Sequence, residues 1–198
     1  DRIDNIVCLE TVIADLPAVI FDRAAAARTV VQHLIGLGHQ RIGFAGFPDE
    51  RLDGYRQALL QHGLSYQARL VQSQAEYNWP EEGYAAVGRL LALDQPPTAI
   101  FAVSDEVALG ALAALHDHGL RVPDDVAIAS IDDLGFARMV RPALTTVHVP
   151  IESFATYALR MLETHEHYPN SHPASVVLPT ELIVRESCGA RLRQRADG

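Results

Sequence analysis

Residues 98–131 read TAIFAVSDEVALGALAALHDHGLRVPDDVAIASI, and this stretch decides the fold. Its first six residues, 98–103, form the continuous apolar run that is typical of a strand buried on both faces. Asp105 opens a segment with helical apolar spacing that closes at Gly119, and residues 126–131 form a second apolar run. Two buried strands joined by an amphipathic helix predict a parallel sheet that helices cover on both faces.

The same alternation of strand and helix extends outward from this stretch toward the N-terminus. Short apolar runs predict further strands at residues 5–9, 18–21, 41–45 and 70–71. Helical spacing predicts helices that begin after Asp22, near Arg51 and at Pro80, the first two ending at Gly38 and Gly63. The chain is therefore predicted to have an α/β fold with parallel sheets flanked by helices.

Composition and charge narrow the class of protein. A chain of 198 residues allows one sizeable domain or two small lobes. No apolar run reaches the length of a membrane span, and no signal peptide is recognised at the start. Two distant cysteines, Cys8 and Cys188, lack metal-ligand spacing and are typical of reduced residues. We therefore expect a cytoplasmic protein with no membrane partner.

The charge of the chain argues against a nucleic-acid surface. A net charge of −9 is unsuited to neutralising phosphates, which requires clustered Lys and Arg. The one basic cluster, Arg191, Arg193 and Arg195, is interpreted as a frayed terminus.

The sequence contains none of the searched catalytic signatures. We find no nucleophile elbow, no dinucleotide fingerprint and no P-loop. The pairs His116/His118 and His165/His167 have a spacing that chelates poorly on a helix, so both are interpreted as solvated. We therefore predict a binding module that is not an enzyme, with no metal and no cofactor.

Polar residues at predicted strand exits are the candidate ligand groups. Ligands of open α/β sheets sit beyond the carboxyl ends of the strands. Asp105 and Asp132 fall at such ends, and Gly46 precedes Arg51 at another. Asp105 is interpreted first as a helix N-cap. Asp132 follows a buried strand with no clear helix after it, and Arg51 is a cation where the helix macrodipole disfavours one, so both favour a ligand role.

At these residues the sequence resembles the effector-binding domain of the lactose-repressor/galactose-repressor family of bacterial transcription regulators. The order and spacing of many short matches carry the resemblance. They include Gly38-His39-Gln40-Arg41-Ile42, Arg51 with Gly54-Tyr55, residues 97–102, Ser104-Asp105, residues 119–126, Asp132-Asp133, residues 142–147 and residues 182–187.

The resemblance implies a two-lobe periplasmic-binding-protein-like fold. Residues 1–46 and 148–174 would form an N-terminal lobe, and residues 47–147 and 175–198 a C-terminal lobe. Compared with the family, the chain begins late, so we expect the first lobe to be incomplete and the helix-turn-helix DNA-binding domain to be absent from this chain.

The resemblance also assigns site residues. The family's effector arginine and aspartate fall on Arg51 and Asp132, and a further polar contact falls on Ser104. The aromatic residue that often stacks on the effector aligns with Asn78, although a shift of one position would bring Trp79 into its place.

A second set of residues is assigned to a homodimer interface by the same resemblance. It comprises Leu109 and Ala113 on one helix and Met139 and Val140 after Asp132. The alternative for these four residues is packing in the core.

We thus expect an effector-sensing and dimerisation domain that binds a small polar, sugar-like molecule between two lobes. Operator DNA would be contacted only through the missing N-terminal domain. A periplasmic solute-binding protein of a sugar importer is the alternative with the same fold. An enzyme with Asp105 and Asp132 as acid and base is the third hypothesis.

Overall fold

The computed structural model describes residues 6–13, 16–73, 79–167 and 175–190, with the backbone alone for 165–167. Within these ranges lie the helices α1 (Arg23–Gly36), α2 (Glu50–Gln61), α3 (Pro80–Leu91), α4 (Asp105–Asp117) and α5 (Ile151–His167). The strands are β1 (Cys8–Leu9), β2 (Ala18–Phe21), β3 (Ile42–Ala45), β4 (Val71–Gln72), β5 (Ala99–Ala102), β6 (Ala127–Asp132), β7 (Thr145–His148), β8 (Val176–Leu178) and β9 (Glu181–Ile183). The predicted α/β class is confirmed.

The chain folds into two compact units. Unit 1 contains Asp1–Asp22 and Val149–Thr180, and unit 2 contains Arg23–His148 and Glu181–Gly198. This division corrects the lobe boundaries predicted at residues 46 and 174. The strand β3 belongs to unit 2 because it pairs with β4 and β5 there, and α1 packs against α2 in the same unit. The strand β8 belongs to unit 1 because it pairs with β2.

Unit 2 is built on a six-stranded sheet with the order β4-β3-β5-β6-β7-β9. The first five strands run parallel, as the continuous apolar runs of β3, β5 and β6 predict. The last strand, β9, pairs antiparallel with β7. The apolar pattern did not predict this pairing because it identified neither strand. The helices α3 and α4 pack against each other, and α4 also packs on β5 and β6.

Aromatic packing fills the core of unit 2. The ring of Phe44 in β3 makes edge-to-face contacts with Tyr55 and Phe101, each with ring centroids 5.6 Å apart. The hydroxyl of Tyr55 donates a hydrogen bond to the carbonyl oxygen of Ile42 at 2.8 Å, so its polar end is satisfied inside the core. All four residues of β5 are fully buried, which explains why this segment reads as an unbroken apolar run.

Unit 1 contains a parallel sheet with the order β1-β2-β8. The helix α5 packs on β2 and buries Phe154, Ala158 and Met161, whose spacing places them along one face. In the described part of the chain, none of the helices combines the length and the apolar character that crossing a bilayer requires.

Candidate functional site

Three adjacent strands of unit 2 end along the same side of the sheet. The strands β3, β5 and β6 are neighbours and parallel, so the residues that follow them lie side by side. Ligands of open α/β sheets bind in this position. We call the region the carboxyl edge and define it by residues 46–51, 103–105 and 132–134 and by His148 at the end of β7.

Arg51 reaches the carboxyl edge from the first turn of α2, where its side chain is buried. Its Nε and Nη2 atoms donate to the two carboxylate oxygens of Asp49, at 2.9 and 2.6 Å. Its Nη1 atom donates to the carbonyl oxygen of Val103 at 2.9 Å. The Arg51 guanidinium group thus donates three hydrogen bonds to other groups of the protein.

The negative charge of Asp49 offsets the unfavourable position of the Arg51 charge at the N-terminus of α2. The Asp49 carboxylate is the N-cap of α2 and accepts the backbone N–H of Arg51 at 3.0 Å. A negative charge at this point offsets the repulsion between a cation and the helix N-terminus. The cation at the helix start therefore has a structural explanation, which corrects our interpretation of its position as a sign of a ligand.

The ionisation of Asp49 depends on its arginine neighbours. Burial raises the pKa of Asp49, but the hydrogen bonds and charge of Arg51 outweigh burial, and the charge of Arg23 adds to them. The net result is a pKa below the ordinary value of 3.8. Asp49 is therefore a carboxylate at neutral pH.

Ser104, the predicted polar contact, is buried between β5 and α4 and caps α4. Its Oγ atom accepts the backbone N–H of Val107 at 3.2 Å. We expected Asp105 to provide this cap, and that expectation is wrong, because the cap lies one residue earlier. Ser104 keeps its hydroxyl hydrogen available for an additional bond.

Asp105 instead joins three segments of unit 2. Its fully buried carboxylate accepts the hydroxyls of Ser130 in β6 and Thr146 in β7, at 2.6 and 2.7 Å. The other carboxylate oxygen accepts the backbone N–H of Leu134 at 2.7 Å. Burial raises the pKa of Asp105, these three hydrogen bonds oppose that effect, and the charge of Asp133 adds to it, leaving the pKa above 3.8.

Asp132 ends β6 and begins a segment with an unusual backbone. Asp132 has a φ of 122° and Asp133 a φ of 60°, a region that is unfavourable for residues other than glycine. No helix begins here, as expected. Strained residues persist only where neighbouring contacts hold them, and they are common at functional sites.

Contacts around Asp133 hold this strained segment. The Nη2 atom of Arg185 donates to Asp133 at 2.6 Å, and the Nδ1 atom of His148 lies 3.2 Å from the other carboxylate oxygen. The backbone N–H of Asp133 donates to the hydroxyl of Thr146 at 3.4 Å. The half-buried Asp132 is thus presented by a backbone that is fixed from several sides.

The remaining predicted ligand residues precede α3. Asn78 lies outside the described residues. Trp79 is the residue immediately before α3, which follows β4, and its side chain is 62% exposed. A ring with this exposure is accessible to a ligand, and stacking by Trp79 stays a prediction.

The residues predicted for a dimer interface lie on the surface of unit 2. Leu109 is 37% exposed and Ala113 is exposed, and both line a groove of about 320 Å³ between α3 and α4. The groove is lined by Pro80, Glu81, Tyr84, Leu109, Gly110 and Ala113. Met139 is 67% exposed and Val140 is half-buried in the turn after β6. Core packing therefore does not account for Leu109, Ala113 or Met139.

Sequence reasoning missed four residues here: Asp49, Asp133 and His148 of the carboxyl edge, and Arg185, which contacts Asp133. Asp49 could have been found, because an aspartate ahead of a helical segment is a usual N-cap signal. Arg185 could not, because its partner Asp133 lies 52 positions earlier and nothing local indicates the pair.

The described residues contain no candidate metal site. No group of three or more His, Cys, Asp and Glu side chains there could hold a metal ion. Cys8 and Cys188 are buried, free thiols.

Comparison with known proteins identifies the family. The model of the periplasmic binding protein-like domain matches residues 31–188. The repressor ExuR of Bacillus subtilis is 33% identical over 87% of this chain and 57% of its own length. The repressor CytR of Escherichia coli K12 is 35% identical over 89% of this chain and 53% of its own length.

Solved structures agree with these relatives. A complex of the transcriptional regulator CelR with cellobiose matches 91% of this chain and 58% of the other chain, with a TM-score of 0.84 and 34% identity. A sugar-binding regulator of the LacI family from Escherichia coli, complexed with phosphate, matches 90% of this chain and 66% of the other, with a TM-score of 0.77 and 30% identity.

The chain belongs to the lactose-repressor family. It matches the effector-binding part of these regulators, with the periplasmic-binding-protein-like fold that the resemblance implied. This lactose-repressor-family chain spans about half the length of the curated relatives it matches.

Proposed function

We propose that this domain senses a small, polar, sugar-like effector that binds at the carboxyl edge of unit 2. The observation that carries the proposal is the continuity of the edge. Arg51 bonds to Val103, Ser104 follows Val103, and Asp105 bonds to the segment that presents Asp132. Arg51, Ser104 and Asp132, three of the residues assigned to the effector, therefore lie on one connected set of contacts at three neighbouring strand exits.

The chemistry of these groups suits a polyhydroxylated molecule. A sugar hydroxyl both donates and accepts hydrogen bonds, so it needs donors and acceptors in close proximity. Asp132 supplies acceptor oxygens, and the N–H groups of Arg51 that its internal bonds do not use supply donors. Ser104 offers its hydroxyl hydrogen. Trp79 or Asn78 is proposed to contact the face of the sugar ring. The complex of CelR with cellobiose supports a sugar as the class of ligand.

Occupancy of the site would control the binding of operator DNA by a helix-turn-helix domain in the complete regulator. The names of the relatives include this DNA-binding motif, and a net charge of −9 makes this chain itself unsuited to DNA. An effector can regulate only if it binds one conformation of the protein better than another.

A homodimer through unit 2 completes the proposal. The groove between α3 and α4 exposes Tyr84, Leu109 and Ala113, and Met139 is exposed on the turn after β6. Aromatic side chains and methionine are enriched in protein interfaces, which supports this surface as the contact between two copies.

Calorimetric titration of the full 198-residue chain with uncharged sugars, including cellobiose, tests the function. We expect one of them to bind saturably and to be recovered unchanged, because the site is proposed to bind without turnover. Failure of the whole panel to bind would contradict a sugar sensor, and conversion of a bound sugar would indicate an enzyme.

A further inference from the structure

The chain contains no lysine, so all of its 16 basic residues other than histidine are arginines. Among the residues that the structure describes, three of these arginines reach the carboxyl edge, and each contacts a carboxylate. Arg51 pairs with Asp49 at 2.6 Å, and Arg185 pairs with Asp133 at 2.6 Å. Arg23 lies 4.0 Å from Asp49 and 3.8 Å from Glu50.

Carboxylates outnumber guanidinium groups at this edge. Among the described residues, and without the buried Asp105, this edge has the four carboxylates of Asp49, Glu50, Asp132 and Asp133 and the three guanidinium groups. An anionic ligand would therefore bring further negative charge to a region whose described arginines are already neutralised.

Acidic side chains also lie at the N-termini of the helices α2, α3 and α4. A helix N-terminus is a common site for anions because its backbone N–H groups point outward. Here α2 is preceded by Asp49, and Glu50 follows in its first turn. The first turn of α3 contains Glu81 and Glu82, and that of α4 contains Asp105 and Glu106. The helices that begin after β3, β4 and β5 therefore supply their own negative charges.

We propose that Asp49 determines specificity by excluding anions, so that the effector is an uncharged polyhydroxylated molecule. This inference rests on the proposed function, because it concerns the ligand of the same site. Asp49 occupies the Nε and Nη2 atoms of Arg51, which is the bidentate arrangement that carboxylates and phosphates use. A phosphate or uronate group would have to displace Asp49, whereas a hydroxyl needs only a remaining N–H.

The substitution Asp49→Asn tests the role of this charge. Asparagine is as good an N-cap as aspartate, so α2 keeps its cap while Arg51 loses its charged partner. We expect inorganic phosphate, titrated at constant ionic strength, to bind the variant about tenfold more tightly or better than it binds wild type. Asp49→Ser, another good N-cap, serves as a second variant if the first does not fold.

Asp53→Asn is the matched control. It removes the same charge from the same helix, but the Asp53 side chain is 65% exposed and pairs with Arg56, not with Arg51. Its phosphate affinity should equal that of wild type. Equal phosphate affinity in wild type and both Asp49 variants would overturn the proposal, as would an equal gain in Asp53→Asn.

Matched sugars separate this inference from the proposed function. Wild type is titrated with D-glucose and D-glucuronate, and with D-galactose and D-galacturonate. A uronate that binds more tightly than its parent sugar would overturn the exclusion of anions and leave the sugar-sensing function standing. If no sugar binds in either this set or the earlier panel, the sensing function fails, and the phosphate comparison still decides the role of Asp49.

Discussion

The Nη1 atom of Arg51 donates a hydrogen bond to the carbonyl oxygen of Val103 at 2.9 Å, which fastens the start of α2 to the exit of β5. Two residues further along, Asp105 bonds to Leu134 beyond the exit of β6. The two hydrogen bonds connect the segments that follow β3, β5 and β6. A substitution in one of these segments should therefore alter the positions of residues in the others.

Asp105 should be essential for stability. Asp105→Ala removes the acceptor of three hydrogen bonds, leaving the donors of Ser130, Thr146 and Leu134 without it. We expect the free energy of unfolding to fall by about 3 kcal/mol. Urea unfolding measures this loss of stability. Glu106→Ala is the control, because Glu106 is the exposed neighbour of Asp105 and its substitution should change the free energy of unfolding by only about 0.5 kcal/mol. Equal losses in both variants would contradict the role of Asp105.

The stability contribution of Asp105 should depend on pH. Because its pKa is higher in the folded protein than the ordinary 3.8, the folded state holds the proton to a higher pH than the unfolded chain does. Ionisation then favours unfolding, so this contribution is present below 3.8 and is lost as the pH rises through the raised pKa. Asp105→Asn does not titrate, so wild type should lose stability relative to this variant as the pH increases. A constant or opposite difference in urea unfolding across this range would contradict the assignment.

Substituting alanine for two glycines of the helix pair α3 and α4 should change the free energy of unfolding in opposite directions. A Cβ atom at Gly110 would overlap the carbonyl oxygen of Pro80, whereas one at Gly88 would meet open space. We expect Gly110→Ala to lower the free energy of unfolding by about 2 kcal/mol or more. Gly88→Ala should raise it by about 0.5 kcal/mol because alanine favours the helix. Thermal or urea unfolding distinguishes the two, and a loss of equal size at both positions would argue against this close helix contact.

The proposed dimer should dissociate when a charge is placed in the groove between α3 and α4. Leu109→Glu would bury a carboxylate without a partner in the interface, at a cost of several kcal/mol, on the order of that for other unpaired buried charges. Sedimentation velocity should therefore show monomers for this variant. Leu60→Glu is the control, because Leu60 is 79% exposed on α2, outside the groove, and this variant should remain dimeric. A Leu109→Glu variant that is still dimeric would exclude this surface.

Most of the fold could be predicted from apolar runs and helix signals. The segment 18–21 was predicted as a strand and forms β2 with the same bounds. Gly119, predicted to close a helix, follows α4 with a φ of 71°. Such features depend on local sequence, so a single chain is enough to reveal them.

The parts that could not be predicted depend on distant residues. The sequence around Arg51 indicates a misplaced cation, but only the fold shows that Asp49 and Val103 already hold it. The strain at Asp132 and the contacts of Asp133 likewise require β7 and Arg185 to be in place. Sequence reasoning also placed residues 23–46 in the wrong unit, because strand pairing determines membership.

Asp132 offers the most direct test of the central claim that the carboxyl edge binds the effector. Arg51 is less suitable, because removing it would also break its structural contacts with Asp49 and Val103. The decisive measurement is a calorimetric titration of Asp132→Asn with an uncharged sugar that binds wild type. Asparagine has the size of aspartate and a similar tolerance of positive φ, so the fold should survive while affinity falls about tenfold or more. Wild-type affinity combined with a loss of thermal stability would show that Asp132 is structural and would contradict the account.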